Sequence, residues 1–356
     1  MTTASPAAAP VEDLTAAYAR AKADDPGARA RDIADKLGVT EGRLVDARAG
    51  DGVERLALQG PAFAPFLDTI RAAGPMMTLT RNDAAVHETT GEMGEVKHHG
   101  PMGQVTGAID LRLFLRHWHA GFAVREETRS GLRHSIQIFD ATGVAILKVY
   151  AVEGTDLEHW SRIAADHAAR RGESAGFQMP EPPIPDPADD EIDQPELRRR
   201  WEGLEHSHDF PAMLRSVGAG RQQALRLVGE DLARPVAADI TARMLEMAAQ
   251  RRIPIMCFVG NRGCIQIYSG PVERIVPMGP WLNILDPGFN LHLRADRVAG
   301  SWVVVKPTAM RGRITSLELF DADGGLICQF FGARPPGEGE QDGWRGLMTE
   351  LTGGAA

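Results

Sequence analysis

The sequence repeats itself once along its length. Residues 82–91 align without gaps on residues 261–270, a shift of 179 residues. Residues 139–143 align on residues 320–324 at a shift of 181 residues. Because the shift changes by only two residues over this span, chance is a poor explanation. The pattern indicates a tandem duplication, so whatever fold the chain adopts must be built twice.

Each copy has the same predicted order of secondary structure. Helices are expected at the start, over residues 11–49 in the first copy and 196–232 in the second. The later strands include a hairpin whose turn, residues 321–325, is rich in residues that tolerate positive φ. Further strands of the second copy are predicted at 255–259, 264–268, 289–293 and 302–305. Helices followed by strands predict an α+β fold of two similar halves, each a large antiparallel sheet with helices packed to one side.

Composition changes mark the expected domain boundaries. Residues 1–10 are rich in Ala, Pro and Thr and are predicted to be a disordered tail. The first repeat is assigned to residues 11–171 and the second to residues 196–356. Between them, residues 172–195 are rich in proline and acidic side chains, which is typical of an extended linker.

The charge and the cysteines limit the kinds of partner. A net charge of −9 argues against nucleic acid. No apolar run approaches the length of a membrane span, and no signal peptide is recognised at the start. The three cysteines, Cys257, Cys264 and Cys328, are odd in number and lie in apolar segments. We therefore expect buried, reduced thiols in a cytoplasmic protein.

The duplication serves as an internal control, since positions that differ sharply between the copies are candidates for function. Three positions of the second copy add a metal-ligand side chain or a positive charge: His208 near Ala28, Arg221 at Glu41, and Lys306 near Glu126. Such a set suits a planar anionic cofactor.

Several stretches resemble a known family. Residues 260–267, 279–294 and 329–337 are similar to the signatures of the bacterial hemin-degrading factors, and the similarity extends to residues 110–115 and 117–119. The resemblance implies a cytoplasmic haem-binding protein of a haem-uptake system. It also implies two similar α+β halves, with haem b (hemin) bound mainly by the second.

The resemblance also implies the roles of individual residues. The family's axial histidine falls on His208, which makes it the expected iron ligand. Its distal arginine falls on Arg221, the candidate catalytic and cofactor-binding residue. Lys306 and Arg334 match basic residues near the haem carboxylates, in positions expected to be partly solvated. The other matched cofactor-binding residues are Arg112, Phe114, Gln329 and Phe331.

Some alternatives at the site stay open. His206 is the rival of His208, because two residues apart on one regular element they cannot point the same way; the family pattern favours His208. Gln329 and Phe331 are two apart and share one face of a strand. The family often has Tyr at the position of Phe331, so a hydroxyl near the haem is missing here.

The resemblance leaves two roles for the protein. It implies either an enzyme that opens the porphyrin ring to release iron, or a carrier that hands intact haem to a separate oxygenase. No nucleotide-binding Gly-x-Gly-x-x-Gly motif follows a strand, so an enzyme would need an external electron donor such as a reductase. A haem-uptake transporter is a further expected partner.

A DNA-binding regulator is the alternative function. Residues 30–44 resemble a helix-turn-helix with Gly38 in the turn. Against this interpretation, the second helix mixes Glu41 and Asp46 with Arg43 and Arg48, and the same segment recurs in the second copy.

Overall fold

The computed structural model describes residues 11–128, 131–170, 172–182, 184–335 and 337–354. The predicted tail, residues 1–10, lies outside the described residues. The chain divides into two compact units. Unit 1 takes the chain up to Arg81, Glu88–Glu181 and Asn261–Gln266, and unit 2 takes Asn82–His87, Pro182–Gly260 and Ile267–Ala356. The repeat and linker boundaries given above remain predictions.

The two halves of the chain present the same elements in nearly the same order. The first half contains α1 (Val11–Asp24), α2 (Ala30–Leu37), α3 (Glu41–Ala47), β1 (Val53–Leu56), α4 (Phe63–Ile70), β2 (Met76–Arg81), β3 (Ala85–Gly91), β4 (Lys97–His99), β5 (Met102–Val105), β6 (Asp110–Phe114), β7 (Ala120–Thr128), β8 (Gly131–Phe139), β9 (Ala145–Ala151) and α5 (Leu157–Asp166). The second half contains α6 (Gln194–Glu202), α7 (Phe210–Val217), α8 (Arg221–Leu227), β10 (Ala233–Val236), α9 (Ile240–Arg251), β11 (Ile255–Gly260), β12 (Cys264–Gly270), β13 (Ile275–Met278), β14 (Trp281–Asp286), β15 (Phe289–Arg294), β16 (Gly300–Thr308), β17 (Gly312–Phe320), β18 (Leu326–Gly332) and α10 (Asp342–Leu351).

Strand pairing is equivalent in the two units. In unit 1, β1, β7, β8, β9 and β2 are successive antiparallel neighbours, and β4, β5 and β6 form an antiparallel meander. In unit 2 the same relations join β10, β16, β17, β18 and β11, and separately β13, β14 and β15. The predicted α+β fold of two similar halves with large antiparallel sheets is confirmed.

The helices of unit 2 cover both faces of its sheet, a refinement of the expected one-sided packing. Trp302 and Val304 point to one face and are buried with Trp201 and Phe210 of the first helices. The intervening Val303 points to the other face, which α9 and α10 cover. Successive residues of a strand point to opposite faces, and consecutive residues of β16 are apolar, so both faces of the sheet must be shielded from water.

Three strands of the second half, β10, β13 and β14, are not predicted from the sequence. Strands β10 and β13 have only four residues each and carry a proline that obscures the strand pattern, whereas β14 has six residues. In the described part of the chain, the helices are all too short or too polar to cross a membrane.

Candidate functional site

A buried carboxylate on β17 is the centre of the candidate site in unit 2. Glu318 is fully buried and accepts two hydrogen bonds from Arg221, Nε to Oε2 at 2.8 Å and Nη2 to Oε1 at 2.9 Å. The Lys306 Nζ donates to Glu318 Oε1 at 2.7 Å, and the Gln329 Nε2 donates to the same oxygen at 2.9 Å. The structure therefore brings together three of the predicted residues through a fourth that the sequence reading did not name.

The sheet and one helix terminus place these side chains together. Lys306, Glu318 and Gln329 come from the adjacent strands β16, β17 and β18, with Glu318 directly opposite Gln329 in the strand register. Arg221 is the first residue of α8, which follows Gly220. A helix begins here over the sheet, so the arginine side chain can reach down to the carboxylate at the middle strand.

The charges in this cluster shift one another's ionisation. Burial alone would raise the pKa of Glu318, but the positive charges of Arg221 and Lys306 and their hydrogen bonds hold it well below its usual range. Burial lowers the pKa of Lys306, Glu318 opposes this effect, and Arg221 adds to it. The cluster therefore holds two cations against one ionised carboxylate.

Aromatic rings flank the two cations. The ring centre of Phe210 lies 5.0 Å from Arg221 Cζ and 4.7 Å from Lys306 Nζ. The ring of Phe331 lies 5.7 Å from the same Nζ and packs edge-on against Phe258, with 5.1 Å between centres. Cations held over ring faces are stabilised by the ring quadrupole. Phe258 was not predicted as a site residue, and a phenylalanine inside a strand gives no signal for such a role.

The prediction that Lys306 is partly solvated is wrong. Its exposed fraction is only 2%, and the carboxylate of Glu318 offsets the desolvation cost of burying the ammonium group. Arg334, which follows β18, is half-buried as expected. Burial lowers the pKa of Arg334, and the nearby positive charge of Arg311 lowers it further, while the negative charge of Glu340 acts in the opposite direction.

The two candidate histidine ligands lie at the entrance of α7. His208 belongs to the 3-10 helix Ser207–Asp209 and is exposed, two residues before Phe210. His206 is also exposed, and its backbone N–H donates to the Asp209 carboxylate at 2.9 Å, which closes this turn. Phe210, whose ring lies against both cations of the cluster, follows His208 by two residues. The preference for His208 over His206 stays a prediction.

The two predicted residues of the first half lie in unit 1. Arg112 and Phe114 are half-buried on β6, and the Arg112 guanidinium pairs with the carboxylate of Asp110. Burial raises the pKa of Asp110, although Arg112 acts in the opposite direction. A role for Arg112 and Phe114 in cofactor binding stays a prediction.

The helix-turn-helix segment is part of the packed scaffold of unit 1. Helices α2 and α3 are joined through Gly38, whose φ of +68° is favoured by glycine because it has no Cβ. Glu41 at the start of α3 is buried and accepts a hydrogen bond from Lys148 Nζ at 2.5 Å. The same helix buries Leu44, Val45 and Asp46. A helix committed in this way to the core is unlike a recognition helix, which argues against the DNA-binding alternative.

Comparison with known proteins shows where this architecture recurs. Residues 38–167 and 218–351 match the pattern of the haemin-degrading HemS.ChuX domain. Hemin transport protein HmuS of Yersinia pestis is 38% identical over 336 residues, which covers 94% of this chain and 96% of that protein. Hemin transport protein HemS of Yersinia enterocolitica is 39% identical and covers the same shares.

Solved structures agree with this assignment. Holo-PhuS, a heme-binding protein from Pseudomonas aeruginosa, gives a TM-score of 0.91 at 43% identity, covering 95% of this chain and 98% of that one. The heme degrading enzyme ChuS of Escherichia coli O157:H7 gives a TM-score of 0.89 at 37% identity, covering 96% and 99%. The match to the domain pattern in both halves, and relatives of this identity over nearly the whole length, show that the chain belongs to the haemin-degrading HemS.ChuX domain family.

Proposed function

We propose that this protein binds haem b at the Glu318 cluster of unit 2 and either degrades it to release iron or delivers it to a downstream oxygenase. The observation that carries the proposal is the cluster itself. Glu318 holds Arg221 and Lys306 together, and the rings of Phe210 and Phe331 lie against these cations. Phe210 follows the exposed His208 by two residues.

The donor set fits haem. An imidazole is a good ligand for haem iron, and the exposed His208 offers one. Phe331, which is 9% exposed, offers the apolar contact for a porphyrin, while Phe210 is packed in the core behind the two cations. Haem carries two negative propionates, which suits a cluster with one more cation than anions and the half-buried Arg334. Haem, when bound, supplies the iron and the porphyrin at which oxygen chemistry takes place.

The residues of the chain have separate parts in this proposal. His208 binds the iron, and Arg221 faces the cofactor with the edge of its guanidinium that Glu318 does not hold. Lys306 and Arg334 attract the propionates. Gln329 fixes the Glu318 carboxylate through its 2.9 Å hydrogen bond, and Phe331 contributes apolar contact. Arg112 and Phe114 of unit 1 are proposed as further cofactor-binding residues.

Bidentate pairing limits what Arg221 can do by itself. Its Nε–H and one N–H of Nη2 are donated to Glu318, so the other N–H of Nη2 and the two of Nη1 remain for a hydrogen bond to a group at the iron. The Glu318 carboxylate thereby fixes the direction of the remaining N–H groups. We therefore propose Arg221 as the catalytic residue and Glu318 as the residue that orients it.

The enzyme and carrier roles use the same residues. Relatives of both descriptions exist, since ChuS is described as a heme degrading enzyme and HmuS as a hemin transport protein. An enzyme would take electrons from a reductase, and a carrier would exchange haem with an uptake transporter and an oxygenase. The three free cysteines, all buried, support a reducing compartment such as the cytoplasm.

Haem turnover separates the two roles. The purified protein, loaded with haem, is incubated with a reductase, its electron source and catalase, and the products are identified by mass spectrometry. Conversion of haem to a ring-opened product supports the enzyme. Persistence of haem until a true oxygenase is added supports the carrier. Failure of the protein to take up haem at all contradicts the proposed function.

A further inference from the structure

A pocket with chemistry of its own lies entirely within unit 1. Its volume is about 430 Å³. Residues from four parts of the chain line it: the loop at Gln59, Gly60 and Pro61; Arg116, His117, Trp118 and His119; Asp140 and Ala141; and Arg262. The cluster of Arg116, His117, Asp140 and Arg262 is not used by the proposed haem site.

The two arginines present their charge to solvent at this pocket. Arg116 is exposed, and its Nε donates to His117 Nε2 at 3.0 Å, which fixes the direction of its remaining N–H groups. The Arg262 side chain is 62% exposed, with Nη1 at 3.8 Å from Asp140 Oδ2. A separation of that length is a weak ion pair and leaves most donors of Arg262 available.

The single carboxylate at the pocket is occupied mainly by its own loop. Asp140 is buried, and its Oδ1 accepts hydrogen bonds from the backbone N–H groups of Thr142 and Val144 and from the Thr142 hydroxyl. Its Oδ1 is therefore fully engaged by hydrogen bonds within the β8–β9 turn. Burial lowers the pKa of His117, and the charges of Arg116 and Arg262 lower it further against the weaker effect of Asp140. The pocket thus has a positive local potential.

The second copy shows that the fold does not require this charge. The 3-10 helix Leu115–His117 recurs as Ala295–Arg297, so the backbone is retained. By the shifts of the internal repeat, the counterparts of Arg116, His117, Asp140 and Arg262 are Asp296, Arg297, Asp321 and Asp83. The pocket of the first copy thus has two arginines and one aspartate, and the equivalent positions of the second copy have one arginine and three aspartates. Arg297 donates to the backbone oxygen of Asp83 at 2.9 Å, and Asp296 is bound by Arg294.

We propose that the pocket of unit 1 binds a doubly charged oxyanion of the phosphate class, held by Arg116 and Arg262. A guanidinium presents paired N–H groups that match the oxygens of a phosphate. Two such groups on one concave surface favour a dianion over a monoanion. The volume exceeds that of one phosphate group, so a phosphate monoester with a small organic part fits the space.

Calorimetric titration of the full-length, haem-free protein tests the proposal. Inorganic phosphate and phenyl phosphate are titrated at pH 7.5, with chloride and acetate as probes at matched ionic strength. We expect saturable binding of the phosphates and none of the monoanions. The variant Arg116→Gln/Arg262→Gln should bind phosphate at least about tenfold more weakly, since charge-assisted hydrogen bonds carry the contact. The matched control, Arg297→Gln in the second copy, should bind as the natural chain does.

Two further measurements keep the result decisive. A rise of the melting temperature with phosphate, absent in the double variant, reports the same binding without calorimetry. If the double variant is poorly folded, Arg262→Glu takes its place as the test. This charge reversal at an exposed position should abolish phosphate binding. Absence of phosphate binding by the natural chain, or equal binding by the natural chain and the folded double variant, overturns the proposal.

Discussion

The guanidinium of Arg221 and the carboxylate of Glu318 form a bidentate pair inside unit 2, with N–O distances of 2.8 and 2.9 Å. The first copy reverses the polarity of the same arrangement. There the start of α3 carries the acid, Glu41, and β9 carries the cation, Lys148, whose counterpart in the repeat is Gln329. Both units bury a salt bridge between helix and sheet, and in unit 2 a single carboxylate accepts hydrogen bonds from two cations, Arg221 and Lys306.

Removing the carboxylate should strongly destabilise the protein. Glu318→Gln leaves Arg221 and Lys306 side by side with no anion, and breaking a buried pair from one side typically costs about 3–5 kcal/mol. Urea unfolding monitored by fluorescence measures the loss. The control is Asp231→Asn, which breaks the exposed pair with Arg198 and should cost about 1 kcal/mol or less. Equal effects of the two substitutions would contradict the role given to Glu318.

Arg334 should affect haem affinity without affecting the iron. We propose that this half-buried residue meets only the propionate end of the ligand, so Arg334→Ala should cost about 1 kcal/mol of binding, roughly a fivefold weaker Kd. Competition with an apo-globin measures the affinity, and absorption spectroscopy measures the iron. A clear change of the Soret band at unchanged affinity would show that Arg334 lies elsewhere in the site.

Lys306 should behave differently from Arg334 because it is buried with Glu318. Lys306→Met keeps the volume of the side chain and removes its charge. The variant should weaken haem binding through the lost positive charge, yet it should unfold at lower urea than Arg334→Ala, because Glu318 loses one of its two cations. Urea unfolding of the haem-free variants gives the comparison. Identical unfolding midpoints would argue that Lys306 is solvated, as the sequence alone suggested.

Acid should destabilise unit 2 through His87. Burial lowers the pKa of this imidazole to about 3, partly offset by a hydrogen bond to the backbone of Cys257. Below pH 6.5 the unfolded chain binds a proton at His87, whereas the folded chain keeps this imidazole neutral. The free energy of unfolding therefore falls as the pH drops from 6.5 towards 3. The slope from this one group is about 1.4 kcal/mol per pH unit.

A pair of variants isolates the contribution of His87. Urea unfolding at several pH values between 7 and 4 should show a shallower loss of stability for His87→Gln than for the natural chain, by about one proton. His98→Gln, at an exposed position on β4, should keep the full slope. An unchanged slope in His87→Gln would mean that His87 is protonated in the folded protein.

The sequence predicts the fold well because the chain carries its own comparison. The repeated turn at residues 320–324 and the helical openings define the two α+β halves without any coordinates. Short strands such as β13 escape this reading, since four residues that include a proline show no alternation. Their place becomes evident only from pairing with a neighbour, which local sequence does not encode.

The site is predictable in its cations and not in its centre. Arg221 stands out because it replaces Glu41 of the first copy. The same comparison would have identified Glu318, which replaces Gln137 at the shift of 181 residues. An acidic residue among the expected propionate partners runs against the electrostatic argument, so the charge pattern does not point to it. Burial of Lys306 follows from that carboxylate, so one omission explains the wrong prediction of its exposure.

The absorption spectrum of the haem complex tests the central claim most directly, through His208→Ala measured beside His206→Ala. Both residues are exposed, so each substitution should change the free energy of unfolding by about 0.5 kcal/mol or less. We predict that His208→Ala shifts the Soret band and speeds haem loss, while His206→Ala leaves both nearly unchanged. A shifted spectrum in His206→Ala alone would move the ligand by two residues. Spectra unchanged in both variants would contradict the assignment of the iron ligand to this turn.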